Sequence, residues 1–455
     1  MKKVITYGSF DLFHKGHYNL LKRAKELGDY LIVGVTTEHY DESRGKLNFV
    51  DSLMERVEHV RQTGFADQII IEDHTGQKVE DIQKYQVDVF TVGSDWIGSF
   101  DYLKQYCEVI YLERTKEVSS TMLRSRNFPI IRLGVIGTGR IASRMMPEVK
   151  YVSGIYVEGV FNPHIESAKK FSERFELNFY SDDLEDFLEK VDAVYIASPH
   201  NTHYEYTKQA LRKGKHVLCE KPISLKKEEA KELFELAKKQ NRVLIEGIKT
   251  AYCPGFTQML GIARSGSIGS IKDVEACFTK LTSSITREMT DLETGGSFTE
   301  LASYTLFAII KLLGVNYKDV RFEGFQAGNG LDIYTKAYFS YPYSFATSKT
   351  GLGVKSEGQL IISGTRGYIR VSAPWWKTQE FEVCYEDTSQ NERYFVKYLG
   401  EGLRYELSDF VSALNGYEKR GYKLTDEESI AIAGIMEKFL DSRHIEEQEY
   451  DTVRQ

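Results

Sequence analysis

The sequence predicts an α/β protein with two doubly wound parallel-sheet domains, followed by an α+β domain with a large, open-faced, mostly antiparallel sheet. Strand and helix patterns alternate over the first 125 residues, and the alternation starts again after Pro129. From about residue 250, apolar residues recur instead at every second position. Alternating strands and helices form βαβ units with a parallel sheet, whereas two-residue alternation is typical of antiparallel strands with one open face.

The first domain is predicted to cover residues 1–127. It begins with the strand KKVITYG and the helix GHYNLLKRAKELG, in which Leu20, Leu21, Ala24 and Leu27 share one face. The later strands are YLIVGVT, QIIIED, VDVFTVG and CEVIYLE, and the helices between them are SLMERVEHVRQT and VEDIQKYQ. Continuous apolar strands of this kind are expected where helices cover both faces of a parallel sheet.

The second domain is predicted over residues 128–250 and the third over residues 251–455. The second has the strands IRLGVIG, IYVEGVFN, VDAVYIAS, KHVLCE and RVLIEG, with amphipathic helical segments between them. The third contains alternating strands such as DIYTKAYFSY and EGQLIISGT, and then two helices. We expect Thr425 to cap the last helix, with Glu428 at the capping-box position.

The composition excludes several classes of function. A formal net charge of -7 argues against binding to a nucleic-acid backbone. The five cysteines are scattered without a CxxC motif, as expected of reduced thiols in a cytosolic compartment. The first apolar run is too short for a signal peptide, and LASYTLFAIIKLLG is shorter than a membrane span and contains Lys311. We therefore expect a cytoplasmic protein with small-molecule substrates and neither a nucleic-acid nor a membrane partner.

Two histidines three residues apart mark the point where the first strand gives way to the first helix. His14 and His17 would lie on one face of that helix, and Gly16 between them would let a phosphate approach closely. Unpaired N–H groups and the helix dipole favour an anion at such a position. The pattern predicts a phosphate site, and the alternative is a helix start that carries two solvated histidines.

The segments ITYGSFDLFHKGH, GDYLIVGVTT, VGSDWIGSFDYLK and RTKEVSST make residues 1–125 resemble the glycerol-3-phosphate cytidylyltransferase family, within the HxGH nucleotidylyltransferases. The resemblance implies transfer of CMP from CTP to the phosphate of a small polyol phosphate, with release of pyrophosphate. Such a reaction needs no protein nucleophile, because the acceptor phosphate attacks the α-phosphorus directly. The protein aligns the substrates and neutralises charge.

The same resemblance implies roles for individual residues. His14 and His17 would hold the triphosphate, and Lys46 and Arg114 would contact phosphates of either substrate. Mg²⁺ would bridge oxygens of CTP with few ligands from the protein. The other nucleotide-binding residues would be Gly8, Ser9, Phe10, Asp11, Gly16, Asp95, Ser119, Ser120 and Thr121.

Two features of this domain are open. Asp95 and Trp96 fit a contact with the base or the acceptor, and a structural role explains them equally well. Val118 stands where the last motif of the family usually has a glycine. The serines and threonine that follow it would then approach the nucleotide differently.

A second glycine pattern, GVIGTGRIA, follows the first strand of the second domain and opens a helix. Glycines at the first two positions of GxGxxA allow a tight turn and close approach to a pyrophosphate. Asn162 ends the next strand, where many such folds carry an acid that binds the ribose 2′-hydroxyl. Because an amide does not repel a 2′-phosphate, NAD and NADP are both open, with NADP slightly favoured. The predicted cofactor contacts here are Gly137, Gly139, Arg140, Ile141, Ala142 and Asn162.

The string DAVYIASPHNTHYEYTKQALRKGKHVLCEKPIS makes the chain from residue 130 to about 445 resemble the Gfo/Idh/MocA oxidoreductase family. The hallmark of that family is the Glu-Lys-Pro at Glu220, Lys221 and Pro222. The resemblance implies a Rossmann-like domain for NAD or NADP, with Lys221 as the acid that protonates a carbonyl oxygen as hydride arrives, or the base in the reverse reaction. It also implies cofactor contacts from Ser198, Pro199, Asn201, Glu220 and Lys221 itself.

Other residues of this half receive weaker assignments. The segment TGGSFTELASY places Glu300 where the family usually has Asp, so that the carboxylate arm is longer by one methylene. Glu300 would orient hydroxyl groups of the substrate, and Tyr304 would be a second proton donor. We expect His203 to position other groups and His216 to pack.

The two halves together suggest consecutive reactions. The second half would reduce a keto or aldose phosphate to a polyol phosphate, and the first would convert that product to a CDP-polyol, a precursor of teichoic-acid-like or capsular polymers. One alternative is hydride transfer on the CDP-linked product. Another is that one half is an inactive nucleotide-binding module that regulates the other. Both families imply a homo-oligomer, either a dimer or a tetramer.

Overall fold

The computed structural model describes residues 1–11, 13, 15–37, 53–113, 130–414 and 423–442. The chain divides into two compact units, one of residues 1–130 with 151–155 and one of residues 131–150 with 156–455. Within the described ranges, none of the helices combines the length and the apolar character that a membrane span requires.

The first unit is built on a five-stranded sheet in the order β3-β2-β1-β4-β5. Every pair of neighbours in it is parallel. The strand order reverses between β1 and β4, so that a crevice opens at the carboxyl ends of these two strands. The elements are β1 (Lys3–Gly8), α1 (Lys15–Glu26), β2 (Tyr30–Thr36), α2 (Leu53–Gln62), β3 (Gln68–Glu72), α3 (Gln77–Tyr85), β4 (Val89–Gly93) and β5 (Glu108–Leu112).

Both faces of this sheet are covered. Val4 of β1 packs with Leu21 and Ala24 of α1 on one face, and the next residue, Ile5, packs with Ile82 of α3 on the other. All five are at most 2% exposed. Burying a large aliphatic side chain contributes roughly 1.5–3 kcal/mol, so the alternation of β1 residues between two apolar layers stabilises the sheet from both sides.

The second unit begins with a six-stranded sheet in the order β11-β10-β9-β6-β7-β8. The pairs β10–β11, β9–β10, β6–β9 and β7–β8 are parallel. Here the reversal lies between β6 and β9. The elements are β6 (Ile131–Ile136), α4 (Arg140–Val149), β7 (Ile155–Phe161), α5 (Ile165–Phe175), β8 (Phe179–Ser181), α6 (Leu184–Glu189), β9 (Ala193–Ile196), α7 (His203–Arg212), β10 (His216–Glu220), α8 (Lys227–Lys239) and β11 (Leu244–Gly247).

An eight-stranded sheet follows, in the order β13-β14-β15-β12-β16-β17-β18-β19. Its pairs are antiparallel except for β12 with β15, which are parallel. The predicted fold class, two doubly wound domains and a mostly antiparallel sheet, is therefore confirmed. The strands are β12 (Ile271–Thr279), β13 (Asp319–Gln326), β14 (Asp332–Ser340), β15 (Phe345–Gly351), β16 (Leu360–Gly364), β17 (Tyr368–Val371), β18 (Glu380–Cys384) and β19 (Glu392–Phe395).

One face of the eight-stranded sheet is covered by α11 (Ser297–Leu313), the apolar helix that the sequence predicts to be buried. This helix packs on β12 and β15, and its Lys311 is only 2% exposed and lies 2.9 Å from Glu428. Glu428 also closes the predicted capping box with Thr425. The helices of this part are α9 (Pro254–Arg264), α10 (Arg287–Thr290), α11 (Ser297–Leu313), α12 (Leu403–Leu414) and α13 (Asp426–Asp441).

The start of α11 depends on one buried carboxylate, Asp332. Its Oδ2 accepts hydrogen bonds from Ser297 Oγ at 2.6 Å and from the backbone N–H of Phe298 at 2.8 Å. Gly296 precedes the helix with φ 100°, and a Cβ there would lie 2.0 Å from Asp332 Oδ1. The glycine is therefore required both for its backbone conformation and for the close approach of the carboxylate.

We expect Gly296→Ala to lower the free energy of unfolding by about 3 kcal/mol, because the backbone strain and the steric clash add. Denaturation of the full chain, followed by calorimetry, measures the loss. Gly328→Ala is the matched control, since its Cβ would meet nothing within 4 Å. Equal stability of the two variants would contradict the role of Asp332 at this helix start.

Candidate active sites

The first candidate site lies in the first unit, at the carboxyl end of β1. The chain turns back after Gly8, so that the Phe10 ring enters the core and a Cβ on Gly8 would lie 3.1 Å from it. Phe10 has φ 53°, a strained value for a residue with a side chain. Asp11 follows and is 4% exposed. The segment from Gly8 to Asp11 is thus a tight turn, and we propose that it approaches a nucleotide through its backbone.

His17 lies in the first turn of α1. Its ring centre is 5.5 Å from that of Phe10 and 5.5 Å from that of Phe13, so two aromatic neighbours orient the imidazole. Gly16 precedes it on the same turn. The placement on a helix start agrees with the phosphate-binding role proposed from the sequence.

Arg56 is a functional candidate that the sequence reasoning missed. It is fully buried in α2 and donates to the carbonyl oxygens of Ser9 at 2.8 Å and Thr36 at 2.7 Å. The guanidinium therefore ties the turn after β1 to the end of β2 and places a positive charge beneath it. The only signal in the sequence was an arginine between the apolar positions of a predicted helix.

A second polar cluster lies at the carboxyl ends of β1, β2 and β3. Lys78 and Glu72 form a buried ion pair, and Thr36 Oγ1 donates to Glu72 at 3.0 Å. Tyr7 Oη donates to Asp81 at 2.9 Å, and burial together with that carboxylate raises the pKa of Tyr7. The sequence did not indicate this cluster, because its members come from four separate elements.

Several predicted residues of this site lie outside the described part of the chain. The side chain of Asp95 is likewise not described. Trp96 ends the short 3₁₀ turn after β4 and is 45% exposed. The residues outside the described ranges are His14, Lys46, Arg114, Ser119, Ser120 and Thr121.

The second candidate site lies in the second unit, where the strand order reverses between β6 and β9. Gly137 has φ 106°, and a Cβ there would lie 2.6 Å from the carbonyl oxygen of Ala197. Gly139 precedes α4, whose first residues are Arg140 and Ile141, and Ala142 is fully buried. The GxGxxA motif is thus a strand, a turn and a helix start, the geometry that suits a dinucleotide pyrophosphate.

Asn162 follows β7 and has internal partners. Its Nδ2 donates to Thr138 Oγ1 at 2.9 Å, and its Oδ1 accepts from the backbone N–H of His164 at 2.9 Å. These contacts hold the end of β7 against the glycine-rich turn. We propose that the amide also meets the adenosine ribose, a role that leaves NAD and NADP both possible.

The loop after β9 carries Ser198, Pro199 and Asn201. His203 is fully buried behind it, with ring nitrogens 2.9 Å from the carbonyl oxygen of Ser198 and 2.7 Å from that of Pro222. Burial lowers the pKa of His203 to about 4, so the ring is neutral at neutral pH. It joins the β9 and β10 loops, as expected of a positioning residue. His216 accepts from the backbone N–H of Val243 and packs.

Lys221, Glu300 and Tyr304, from two motifs far apart in the sequence, meet at the carboxyl end of β10. Lys221 Nζ donates to the backbone oxygen of Glu300 at 2.8 Å and lies 3.8 Å from its carboxylate. The same ammonium lies 5.8 Å from the centre of the Tyr304 ring. The two residues predicted for proton transfer, Lys221 and Tyr304, therefore lie close to Glu300, which was predicted to orient hydroxyl groups of the substrate.

Additional basic side chains surround Glu300. Lys280 Nζ lies 3.8 Å from one carboxylate oxygen, and Arg287 and His200 lie 4.0 and 3.6 Å from the other. Burial alone would raise the pKa of Glu300, but Lys221, Lys280 and Arg287 together hold it below its ordinary value. Burial also lowers the pKa of His200, so its ring is neutral and Glu300 stays ionised.

The sequence analysis missed Lys280 and Arg287. They lie at the two ends of a loop that precedes the TGG motif, and nothing in their local pattern distinguishes them from solvated cations. Arg140, predicted as a cofactor contact, donates to Glu288 at 3.0 Å on the same side. Within the described ranges, no group of three His, Cys, Asp or Glu side chains is arranged to hold a metal ion.

Two family models match the chain, one for each unit. The cytidylyltransferase-like model matches residues 5–126, and the model of the oxidoreductase family with an NAD-binding Rossmann fold, GFO/IDH/MocA, matches residues 131–248. Glycerol-3-phosphate cytidylyltransferase from Bacillus spizizenii is 49% identical over 124 residues, which are 27% of this chain and 95% of that protein. The chain joins a cytidylyltransferase-like domain to a Gfo/Idh/MocA oxidoreductase domain.

The oxidoreductase half has more distant relatives. The scyllo-inositol 2-dehydrogenase (NADP(+)) of Bacillus subtilis is 26% identical over 319 residues, 68% of this chain and 96% of that protein. Among solved structures, a 3-ketoreductase from Actinomadura kijaniata in complex with TDP-benzene and NADP shares the fold, with a TM-score of 0.59 at 23% identity over 68% of this chain and 96% of that one. The UDP-N-acetylglucosamine 3-dehydrogenase of Acidithiobacillus ferrooxidans has a TM-score of 0.57 at 21% identity, over 69% and 97% of the two chains.

Both family predictions from the sequence are therefore confirmed. The cytidylyltransferase–oxidoreductase is an enzyme with a nucleotidyltransferase half and an oxidoreductase half, and the second half binds NAD or NADP. The residues of the GxGxxA turn fit such a cofactor, since Gly137 holds the turn against Ala197 and a Cβ on Gly139, before α4, would meet nothing within 4 Å. Both halves act on small molecules.

Proposed function

We propose that the enzyme makes a CDP-polyol in two consecutive reactions. The oxidoreductase half reduces a keto or aldose phosphate to a polyol phosphate, and the cytidylyltransferase half joins that product to CMP from CTP. A CDP-polyol is the activated unit that a teichoic-acid-like or capsular polymer requires. The proposal thus links a domain that yields a hydroxylated phosphate with one that consumes it.

The observation that carries the proposal is the charge around Glu300. Four cations, Arg140, Lys221, Lys280 and Arg287, face the three carboxylates of Glu288, Asp291 and Glu300, although the whole chain has a net charge of -7. A local excess of positive charge in a cleft favours an anionic ligand. A phosphate group on the carbonyl substrate supplies that anion.

In the reduction, the nicotinamide cofactor supplies the hydride that adds to the carbonyl carbon. The Lys221 ammonium gives a proton to the carbonyl oxygen, so that C=O becomes CH–OH. The backbone oxygen and the carboxylate of Glu300 orient that ammonium, and Tyr304 donates a second hydrogen bond to the oxygen. Lys280 and Arg287 hold the phosphate.

In the transfer, an oxygen of the polyol phosphate forms a bond to the α-phosphorus of CTP as the bond to pyrophosphate breaks. His17, with His14, stabilises the charge that moves onto the departing pyrophosphate. Arg56 holds the turn at Ser9 from beneath. We propose that Mg²⁺ accompanies CTP, so that a chelator stops the transfer but spares the reduction.

The direct test supplies the full chain with CTP, Mg²⁺ and glycerol 3-phosphate or a pentitol phosphate, and measures pyrophosphate. A second assay supplies NADH or NADPH with ketose and aldose phosphates and follows the oxidation of the cofactor. We expect the polyol phosphate from the second assay to be an acceptor in the first. The proposal fails if no polyol phosphate releases pyrophosphate, or if no carbonyl phosphate is reduced.

A second candidate reaction is hydride transfer on the CDP-linked product. It is favoured by the names of two similar proteins, the UDP-N-acetylglucosamine 3-dehydrogenase and a dTDP-sugar 3-reductase, which refer to nucleoside diphosphate sugars. The second of these is 35% identical over 153 residues, 46% of its own length. If oxidation of NAD(P)H requires prior turnover of CTP, this order replaces the first.

We expect Lys280→Met and Arg287→Met each to raise the KM for a carbonyl phosphate about tenfold or more, because each removes a charged hydrogen-bond donor from the phosphate. The kcat should change less, and the KM for the matching unphosphorylated carbonyl should not change. Steady-state kinetics with both substrates measures the difference.

Lys272→Met is the matched control, since Lys272 lies at the other end of the strand β12 that precedes Lys280, and its ammonium contacts only the backbone oxygen of Tyr343 among the described residues. Equal increases in the KM for phosphorylated and unphosphorylated substrates would show that Lys280 and Arg287 do not bind the phosphate group.

A further inference from the structure

Glu406 is a buried acid for which the mechanism above has no use. It lies in α12 with 0% exposure, and within the described part of the chain neither of its carboxylate oxygens has a hydrogen-bond partner. Burying a carboxylate without a donor costs several kcal/mol, so such groups are kept neutral or compensated by nearby charge. Because the buried Glu406 carboxyl group destabilises the folded state and takes no part in the mechanism above, we expect it to have another role.

The position of Glu406 is set by two neighbouring strands. Gly247 ends β11 and pairs in register with Glu220, the last residue of β10. A Cβ on Gly247 would lie 3.6 Å from Glu406 Oε1 and 3.5 Å from the Cα of Glu220. The Glu406 carboxyl therefore lies close to the ends of β10 and β11, beside the residue that precedes Lys221.

Glu220 is buried beside it and has hydrogen-bond partners of its own. Its carboxylate is 6% exposed and accepts a hydrogen bond from Tyr195 Oη at 2.6 Å. Burial raises the pKa of Glu220, while Lys221 and Lys249 act to lower it. Two buried carboxyl groups thus lie near each other at the end of β10.

The positive charge near Glu406 is too small to neutralise the carboxylates of both Glu406 and Glu220. Burial raises its pKa well above the ordinary value of 4.5, and Glu220 and then Glu148 add to the effect, whereas Lys249 opposes it. Glu148 is already paired with Arg404 at 2.8 Å. The other titratable groups that face Glu406 are the phenols Tyr195, Tyr304 and Tyr398, which are uncharged.

We propose that Glu220 and Glu406 retain one proton between them, so that the buried space behind Lys221 and Tyr304 carries a single negative charge, and that loss of this proton slows the reduction. Glu406 is then a positioning residue that acts through its neighbours. The inference rests on the proposed function in one respect, namely that Lys221 is the acid of the reductase.

The expected effect follows from the charge that develops in the reaction. As hydride adds to the carbonyl carbon, negative charge grows on the carbonyl oxygen, and a second buried carboxylate nearby opposes it. The rate of reduction should therefore fall at high pH, as the pair loses its proton.

The first test uses stability and needs no substrate. Because the pKa of Glu406 is higher in the folded than in the unfolded chain, the folded state binds more protons above pH 4.5, and its stability decreases as pH rises. Glu406→Gln has the same shape and cannot ionise. We expect its unfolding temperature to rise relative to that of the natural chain as the pH increases above 4.5, while Glu427→Gln, an exposed change at the start of α13, shows no such trend.

The second test is the pH dependence of kcat for reduction. We expect Glu406→Gln to keep the rate at neutral pH and to move the alkaline decrease to higher pH. Glu220→Gln should move it to higher pH as well, because ionisation of Glu406 then gives the buried space one negative charge and not two. Pyrophosphate release from CTP should not change in either variant.

The outcomes of these tests distinguish failure of the shared proton from failure of the proposed function. A flat difference in unfolding temperature across pH would show that Glu406 holds no proton, and the inference would be overturned. An alkaline decrease unchanged in Glu406→Gln would overturn it as well, since a structural role alone does not move a pH profile. A natural chain that reduces no carbonyl phosphate, yet shows the stability trend, would defeat the proposed function and leave the shared proton supported.

Discussion

Lys221→Met is expected to reduce the rate of hydride transfer by about 10²–10⁴-fold, the usual contribution of a general acid. Methionine is similar in length and carries no proton to donate, so the carbonyl oxygen would have to take its proton from Tyr304 or water. Because Lys221 Nζ donates to the backbone of Glu300, the change also releases that carboxylate from one of its cations. Oxidation of NAD(P)H in the presence of a carbonyl phosphate measures the loss.

Two controls accompany this variant. Pyrophosphate release from CTP should be unchanged, because that reaction belongs to the other unit. Lys226→Met removes an exposed lysine of the same loop, whose ammonium lies 3.2 Å from Glu229, and should leave hydride transfer intact. A Lys221→Met enzyme that retained its natural kcat would show that the proton comes from another group.

His17→Ala is expected to reduce cytidylyl transfer by about 10²–10³-fold, as removal of a preorganised donor to a developing charge commonly does. The imidazole lies in the first turn of α1, between the rings of Phe10 and Phe13, where the helix dipole also favours the phosphates. The measurement is the initial rate of pyrophosphate release at saturating CTP and acceptor. Reduction of a carbonyl phosphate by the same variant should be unchanged.

His74→Ala is the matched control within the same unit. His74 is half exposed and pairs with Asp73 and Glu80. A thermal melt distinguishes lost catalysis from lost packing of the two phenylalanines. An unchanged transfer rate in His17→Ala would assign the triphosphate to other residues.

The sequence by itself determined the order of strands and helices and the position of each motif. Apolar residues recur along a strand or helix with the period that places them on its buried side. The apolar runs of β1 and β2 and the helical face with Leu21 and Ala24 therefore predict which side of each element is buried. The GxGxxA motif and the Glu-Lys-Pro motif are likewise local, because a strand, a turn and a helix start are formed by neighbouring residues. These patterns predicted both doubly wound sheets and both families.

Only the tertiary structure decided which side chains share a site. Lys221 and Glu300 are 79 positions apart, and Lys280 and Arg287 become recognisable only once β12 and α11 bring them to the same carboxylate. The local sequence around Arg56 and Glu406 does not show that they are buried, since a buried charged residue and a solvated one have the same letter. The physical reason is that periodicity in the sequence shows which residues of one helix or strand face the core. The interaction between two charged side chains depends instead on the distance between separate elements, and the packing of the whole fold sets that distance.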